Sequence, residues 1–445
     1  TKDERFTVDS GSSVTFNTRF DTYIESQNRI GTNYIANMYD GARLDILATV
    51  LGSKISVSSD HDLSEVQNER EVLTGGIKTD MPAENLDSKR GITEYNITHN
   101  LTRTDDPYLF LESYNPDAVI NRIASNGWIF ISCNNRPIGT KLAPVEISIP
   151  QNKYVSAMTL NDAGIYLKFL NDARIGYIST SGTVSIILED GENNKVTTVA
   201  KPELDNKQMY YDGKLVPAGY LNGKYGIEAK NFYTNTDNIG DKASALKLKT
   251  DNVLLGGNDS WSKGAKIYAD ITPLNSDTVN IFRAILTDEF IVSEDYLSTL
   301  FTGKITGADV KHLNIYTTSP QIGRIDSPLV LDLKKDAEVN IYNYMRSFED
   351  ATYYIDFIKK PVLNIYGASF DREKKEIADK HINVLGTIRN ITESDTDSGI
   401  DIVVHNGSVG DGVALLGVDN AGNGALNITA DDIRIKLLKE GMILG

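Results

Sequence analysis

The chain has 445 residues, with 45 basic against 61 acidic side chains and a formal charge of −16. That balance argues against nucleic acid, whose binding relies on clustered Lys and Arg neutralising phosphates, and equally against a basic membrane-surface patch. The single cysteine, Cys133, excludes an intrachain disulfide and a cysteine zinc cluster, and no apolar run reaches the roughly 18 residues of a membrane span.

At about 150 residues per domain the length predicts three domains, drawn at 1–150, 151–270 and 271–445. The first reads as mixed α and β. Asp40-Gly41-Ala42 opens a predicted helix with Leu44, Leu47, Ala48 and Leu51 at i, i+3, i+4 and i+7, stopped by Gly52. Asn115-Pro116-Asp117 opens a second, closing at Asn126-Gly127. Residues 53–107 between them, including Asp60-His61-Asp62, are polar enough to predict a long exposed excursion. The run Trp128–Cys133 predicts a buried strand.

The middle domain is β-rich. Thr183–Leu188, Asp190-Gly191-Glu192-Asn193-Asn194 and Lys195–Val199 predict a hairpin, and Asp212-Gly213 and Asn222-Gly223 mark tight turns. A short helix is expected from Ser293 to Gly303, placed to cap the repeats C-terminal to it. The first residue, Thr1, is expected to follow a removed leader or a processing cut. The apolar end, Met442-Ile443-Leu444-Gly445, fits further cleavage or a strand completed by a neighbouring molecule.

Within the C-terminal domain a single tetrapeptide keeps returning. Leu313-Asn314-Ile315-Tyr316 recurs as Val339-Asn340-Ile341-Tyr342, Leu363-Asn364-Ile365-Tyr366, Ile382-Asn383-Val384-Leu385 and Leu426-Asn427-Ile428-Thr429. Ile400-Asp401-Ile402-Val403 fits with Asp for Asn, and Val279-Asn280-Ile281-Phe282 is an earlier echo. Spacings of 26, 24, 19, 18 and 26 residues are those of a chain that coils, each turn laying one strand on the last. If the flanking apolar residues point inward, the Asn side chains stack as an amide hydrogen-bond ladder. The drift in spacing leaves a β-sandwich as the alternative. The fold class expected is mainly β and multi-domain, with a mixed α/β N-terminal part, a β-rich middle and C-terminal solenoid-like repeats.

Three carboxylates, Asp395, Asp397 and Asp401, alternate around Gly399 and are the candidate ligands for calcium, which takes six to eight oxygens. The loop departs from an EF-hand: Gly399 comes one position early and no Glu stands twelfth. The glycines of 406–412 and 419–424 are read as tight corners between coils. Asp332 and Asp336 lie near the repeats but form no evident catalytic pair, and no nucleophile elbow, Walker loop or dinucleotide fingerprint occurs. Sequons stand at Asn96, Asn100, Asn258, Asn390, Asn406 and Asn427. The 22 tyrosines outnumber 13 phenylalanines and two tryptophans together, which suits either a protein- or glycan-facing surface or cross-strand pairing.

The repeats at 313–429 and the Asn- and Gly-rich, acidic, cysteine-poor composition resemble, in style, the strand-coiling segments of S-layer proteins and autotransporter passengers. That resemblance implies a noncatalytic extracellular protein of a bacterial or archaeal cell surface, self-assembling as a homo-oligomer, lattice or filament, with calcium bridging acidic turns and a cell-surface glycan as a further partner. The alternatives are a virion tail fibre or spike and a glycan-degrading β-helix.

Overall fold

The computed structural model describes residues 14–433 with interruptions. Up to residue 121 it describes only the strands, by their backbone. Beyond that, the longer stretches outside the description are 200–207, 218–223, 256–264, 284–299, 345–349, 372–375, 411–415 and 421–424. The described residues form strands and turns, with no helix among them.

Two compact units result: residues 1–190 with 196–230, and residues 191–195 with 231–445. In each, the chain winds as a solenoid in which successive strands fall on two parallel sheets, each turn adding a strand to both. In the first unit, one sheet stacks Val145–Ser148, Ile165–Phe169 and Thr183–Leu188. The other stacks Tyr108–Ser113, Trp128–Cys133, Val155–Thr159 and Ala173–Ser179. In the second unit, Asn231–Thr234, Asn252–Leu255, Thr278–Arg283, His312–Thr317, Ala337–Asn343, Pro361–Asp371, Ile400–His405 and Leu426–Thr429 form one sheet in that order. The intervening strands form the other.

The two-residue period explains the core. Along His312–Thr317, Leu313, Ile315 and Thr317 are buried while the residues between them are half-exposed. Val339 and Ile341, and Leu363 and Ile365, repeat the pattern at 0 % exposure, and Ile402 and Val404, their partners in the next strand, continue it at 0 and 3 %, so the same apolar columns run through successive coils. The opposite sheet supplies Leu331, Tyr353, Ile355, Phe357, Val384 and Ile388. One end of this interior is polar. Arg283 donates to Asp237 at 3.0 Å with both side chains buried, and Asn343 donates to the Tyr353 hydroxyl at 3.2 Å. Burial pushes the Arg283 pKa down and Asp237 opposes it. A buried pair of this kind costs roughly 3–5 kcal/mol if one partner is removed.

Several expectations are corrected. The two N-terminal helices are strands, Leu44–Val50 and Ala118–Ser125. Leu44, Ile46, Ala48 and Val50 alternate along the first, a period of two that Leu47 disguises as helical; β-branched Val119, Ile120 and Ile123 favour a strand in the second. The excursion expected over 53–107 carries Lys54–Ser59, Gly76–Thr79 and Thr93–Leu101, each paired in parallel with a neighbouring turn. Asp60-His61-Asp62 lies outside the described residues. Thr183–Leu188 and Val196–Thr198 do not pair as a hairpin: each is parallel to a strand of a different sheet. Of the helix expected at 293–303, residues 293–299 lie outside the description and Phe301–Gly307 is a strand. Trp128–Cys133 is the strand foreseen, with Trp128–Ile131 buried. Gln208–Tyr211 and Lys214–Pro217 pair antiparallel around Asp212-Gly213.

Regular insertions, which the sequence patterns did not flag, interrupt the strands. Ile138 and Val145, Ile239 and Leu246, Ile322 and Leu329, and Val409 and Leu416 are each seven apart, and each pair flanks an insertion opposite a single residue of the adjacent strand. Each insertion starts with a glycine: Gly139, Gly240, Gly323 and Gly410, with φ between 60° and 77°. At Gly323 a Cβ would stand 2.0 Å from the Tyr354 carbonyl oxygen of the next coil. Left-handed backbone costs an L-residue about 1–2 kcal/mol before that clash is added. Gly323→Ala is therefore expected to lower the thermal midpoint by several degrees in a circular-dichroism melt; an unchanged midpoint would show that the loop base is not anchored through Gly323.

Candidate functional site: the ladder face of the second unit

The outward face of the first-named sheet in the second unit is built from the polar positions of the repeats. Because Asn231, Asn252, Asn280, Asn314, Asn340 and Asn364 are Cα partners from strand to strand, their side chains stand one above another. Each amide donates to the one before it. The distances are Asn252 to Asn231 2.9 Å, Asn280 to Asn252 3.0 Å, Asn314 to Asn280 2.8 Å, Asn340 to Asn314 2.9 Å and Asn364 to Asn340 2.9 Å. The ladder expected from the repeats exists and extends below them. Asn231 and Asn252 stand first in their strands, after Lys230 and Asp251, so the apolar-Asn-apolar signature does not mark them. Asn383 does not join: Ile382–Asn390 belongs to the other sheet, and Asn383 donates to Asp350 at 3.1 Å.

Two residues along each strand runs a second column. Phe282, Tyr316, Tyr342, Tyr366 and His405 stack with ring centroids 4.7, 4.7, 4.7 and 4.1 Å apart and planes within 10° of parallel. The 4.7 Å rise is the spacing of neighbouring strands, so register alone sets the rings face to face. Both faces of Tyr342 are covered by Tyr316 and Tyr366. Burial, with Tyr342 adding, pushes the Tyr316 pKa up to about 12. Tyr344, packed against Tyr316 and Tyr342, is pushed above the ordinary range by the same cause.

Both columns converge on His405. The next strand offers Val403 opposite Asn364, which has no amide. The His405 Nε2 instead lies 3.1 Å from the Asn364 Oδ1. Asn364 already gives its amide hydrogens to Asn340 and to Glu338, so its oxygen accepts and His405 donates from Nε2.

The other sheet carries charge. Arg389 makes a bidentate pair with the buried Asp356 at 2.6 Å on both arms. Asp332 lies 3.7 Å from Lys304 and 3.5 Å from Lys359, and Lys247 pairs with Asp270. Asp332 and Asp336, weighed as hydrolytic carboxylates, are thus both beside lysines, Asp336 at 4.0 Å from Lys360.

Asp395, Asp397 and Asp401 each have their own surroundings. Asp395 is exposed in a turn closed by Asp397 N to Ser394 O at 3.1 Å. Asp397 faces Lys335 at 3.9 Å. Asp401 lies 3.7 Å from Lys360 and accepts from Asn427 at 2.5 Å. Among the described residues no group of three or more His, Cys, Asp or Glu is arranged to hold a metal ion. Asn390 is 1 % exposed and donates to the carbonyls of Asp397 and Gly399, so its sequon is closed to modification. Asn406 (φ 53°) turns the corner into Gly407–Val409, as the glycine-rich stretch led one to expect.

Asn340→Asp tests the amide ladder. The new carboxylate still accepts from Asn364 but opposes the Asn314 oxygen, orphaning one buried bond at about 1–3 kcal/mol. The repulsion raises the folded-state pKa of the new group above its unfolded value, near 3.9. The penalty therefore holds at pH 7 and fades as pH falls through the folded value. Urea titrations at pH 7 and pH 4 read this, and equal deficits at both would sink the ladder account. For the ring column, the raised Tyr316 pKa predicts stability retained below pH about 10, the ordinary tyrosine value, and lost as pH rises through about 12. Tyrosinate absorbance should lag in the folded chain and jump on unfolding; a smooth titration centred near 10 would refute it.

No protein-family model matches this chain, and no curated protein or solved structure matches it either, so its function is argued from geometry.

Proposed function

We propose that this chain is a noncatalytic structural protein of a cell exterior, a stiff coil-stack unit of a self-assembling layer or filament. The supporting observation is the ladder face. Over four strands, the stacked amides and rings of the outward face are committed to bonds between coils. A glycan platform needs a free ring face for stacking, and the faces of Tyr316, Tyr342 and Tyr366 are taken by neighbouring rings. Such investment makes a unit rigid along the stack while leaving binding to be supplied elsewhere. The acidic, nearly cysteine-free composition suits an exposed, highly solvated surface.

Negative-stain electron microscopy of the purified chain, with and without calcium, is the test. Sheets or filaments are the expected result. Their dissolution by chelator would bring calcium into the contacts and make Asp395, Asp397 and Asp401 the first residues to mutate. Discrete trimers indifferent to chelator would overturn the layer reading in favour of a spike.

A further inference from the structure

Three tyrosines, Tyr316, Tyr342 and Tyr366, are Cα partners from strand to strand on the outward face of the second unit. Each belongs to the next coil, so 26 and 24 residues of chain separate them, yet their ring centroids are 4.7 Å apart at both steps. The planes lie 6° and 10° from parallel, which makes each ring nearly a translated copy of its neighbour. The carbon ortho to each phenol oxygen therefore faces its own counterpart on the next ring. All three side chains are half-exposed, within reach of a dissolved oxidant. Phe282 and His405 close the column at its two ends, at 4.7 and 4.1 Å, and neither carries a phenol.

A phenol that loses one electron and its hydroxyl proton becomes a phenoxyl radical, with unpaired spin on its ortho carbons. Free phenoxyl radicals must meet by diffusion to couple. In this column the partner is already in place, which turns a bimolecular step into an intramolecular one.

We infer that Tyr316, Tyr342 and Tyr366 form an oxidative cross-linking site, at which a haem peroxidase using hydrogen peroxide joins adjacent coils through dityrosine bonds. Two phenols each give up an electron and a proton, and a carbon–carbon bond forms between facing ortho carbons. The hydrogens on those carbons then move to the oxygens and restore both phenols. Hydrogen peroxide takes up the two electrons and two protons and leaves as two waters, so the linked pair lacks two hydrogens. The rings must tilt toward each other as the bond forms, and the half-exposed side of the column gives them that freedom. With one cysteine the chain has no intrachain disulfide, and these bonds supply the covalent tie between coils that cysteine does not. They lie within one chain, so the inference stands apart from the assembly reading.

The test treats the dilute full chain with a haem peroxidase and hydrogen peroxide, then maps linked peptides by mass spectrometry after digestion. The expected result is dityrosine fluorescence and peptide pairs joined at Tyr316–Tyr342 and Tyr342–Tyr366, each short of two hydrogens. Tyr342→Phe keeps a ring that the column accepts, as Phe282 does, but leaves Tyr316 and Tyr366 two steps apart; both links and most of the fluorescence should be lost. Tyr316→Phe should lose the first link and keep the second, a split that general loosening of the fold does not produce. Circular dichroism before oxidation confirms that the variants fold. The oxidised parent should also melt at a higher temperature than the untreated chain, because the bonds close loops of 26 and 24 residues. Absence of dityrosine from the folded parent overturns the inference. So do links that fall only on other tyrosines, such as the neighbouring Tyr344, or only between chains, and so does undiminished fluorescence in Tyr342→Phe.

Discussion

Strict parallel register between successive coils is the constraint on which the rest of the structure depends. Once Asn314 is set opposite Asn340, and Asn340 opposite Asn364, a two-residue step brings Tyr316, Tyr342 and Tyr366 into a column as well. A slip of one residue would turn every apolar side chain of a strand out of the core and every amide into it. The buried column through Leu313, Val339 and Leu363 therefore fixes the register, and the outward ladders then read it out with directional bonds. Apolar burial supplies the larger share of the free energy. The amides, at about 1 kcal/mol net each, sharpen the choice among registers.

The two sheets of the second unit use this geometry with different chemistry. On one, identical neutral groups stack on themselves, which works because an amide is both donor and acceptor and a ring has two faces. On the other, like cannot stack on like, so charges alternate: Asp356 with Arg389, Asp332 between Lys304 and Lys359. The exposed pairs contribute little individually. The bidentate Arg389–Asp356 pair, with its carboxylate buried, is the one whose loss would be felt.

How much of this was legible depends on the kind of order each signal encodes. The tetrapeptide carries strand period, burial and ladder in one pattern, so coil and amide stack were both readable from Leu313–Tyr316 and its echoes. The drifting spacing misled because one copy, Ile382–Leu385, is a strand of the opposite sheet. Without it, the interval from Leu363 to Ile400 is long because the antiparallel extension Ala368–Asp371 with Glu376–Asp379 is inserted there. The N-terminal strands were misread because Leu47 fills a helical position in an alternating run. The loop bases were visible as an apolar residue, Gly, five residues and Val or Leu, but their copies stand 101, 83 and 87 residues apart, beyond the window in which strand repeats announce themselves. The calcium candidates illustrate the converse. Alternating carboxylates around a turn are clear in sequence, yet which lysine each meets depends on neighbouring coils: Lys335 for Asp397 and Lys360 for Asp401.

How the ladders end argues for their purpose. A binding array can stop anywhere, whereas a structural ladder that stops leaves a buried acceptor to satisfy. Here Val403 removes the amide from the column, and His405, two residues along, covers Tyr366 with its ring and reaches Asn364 with Nε2. One side chain closes both columns because an imidazole is at once a flat ring and a hydrogen-bond donor. Beyond it the adjacent column takes up the pairing, with Asn427 donating to Asp401. The stacked amides and rings along this face are matched to the coil beside them, which is the observation that supports the structural role proposed above.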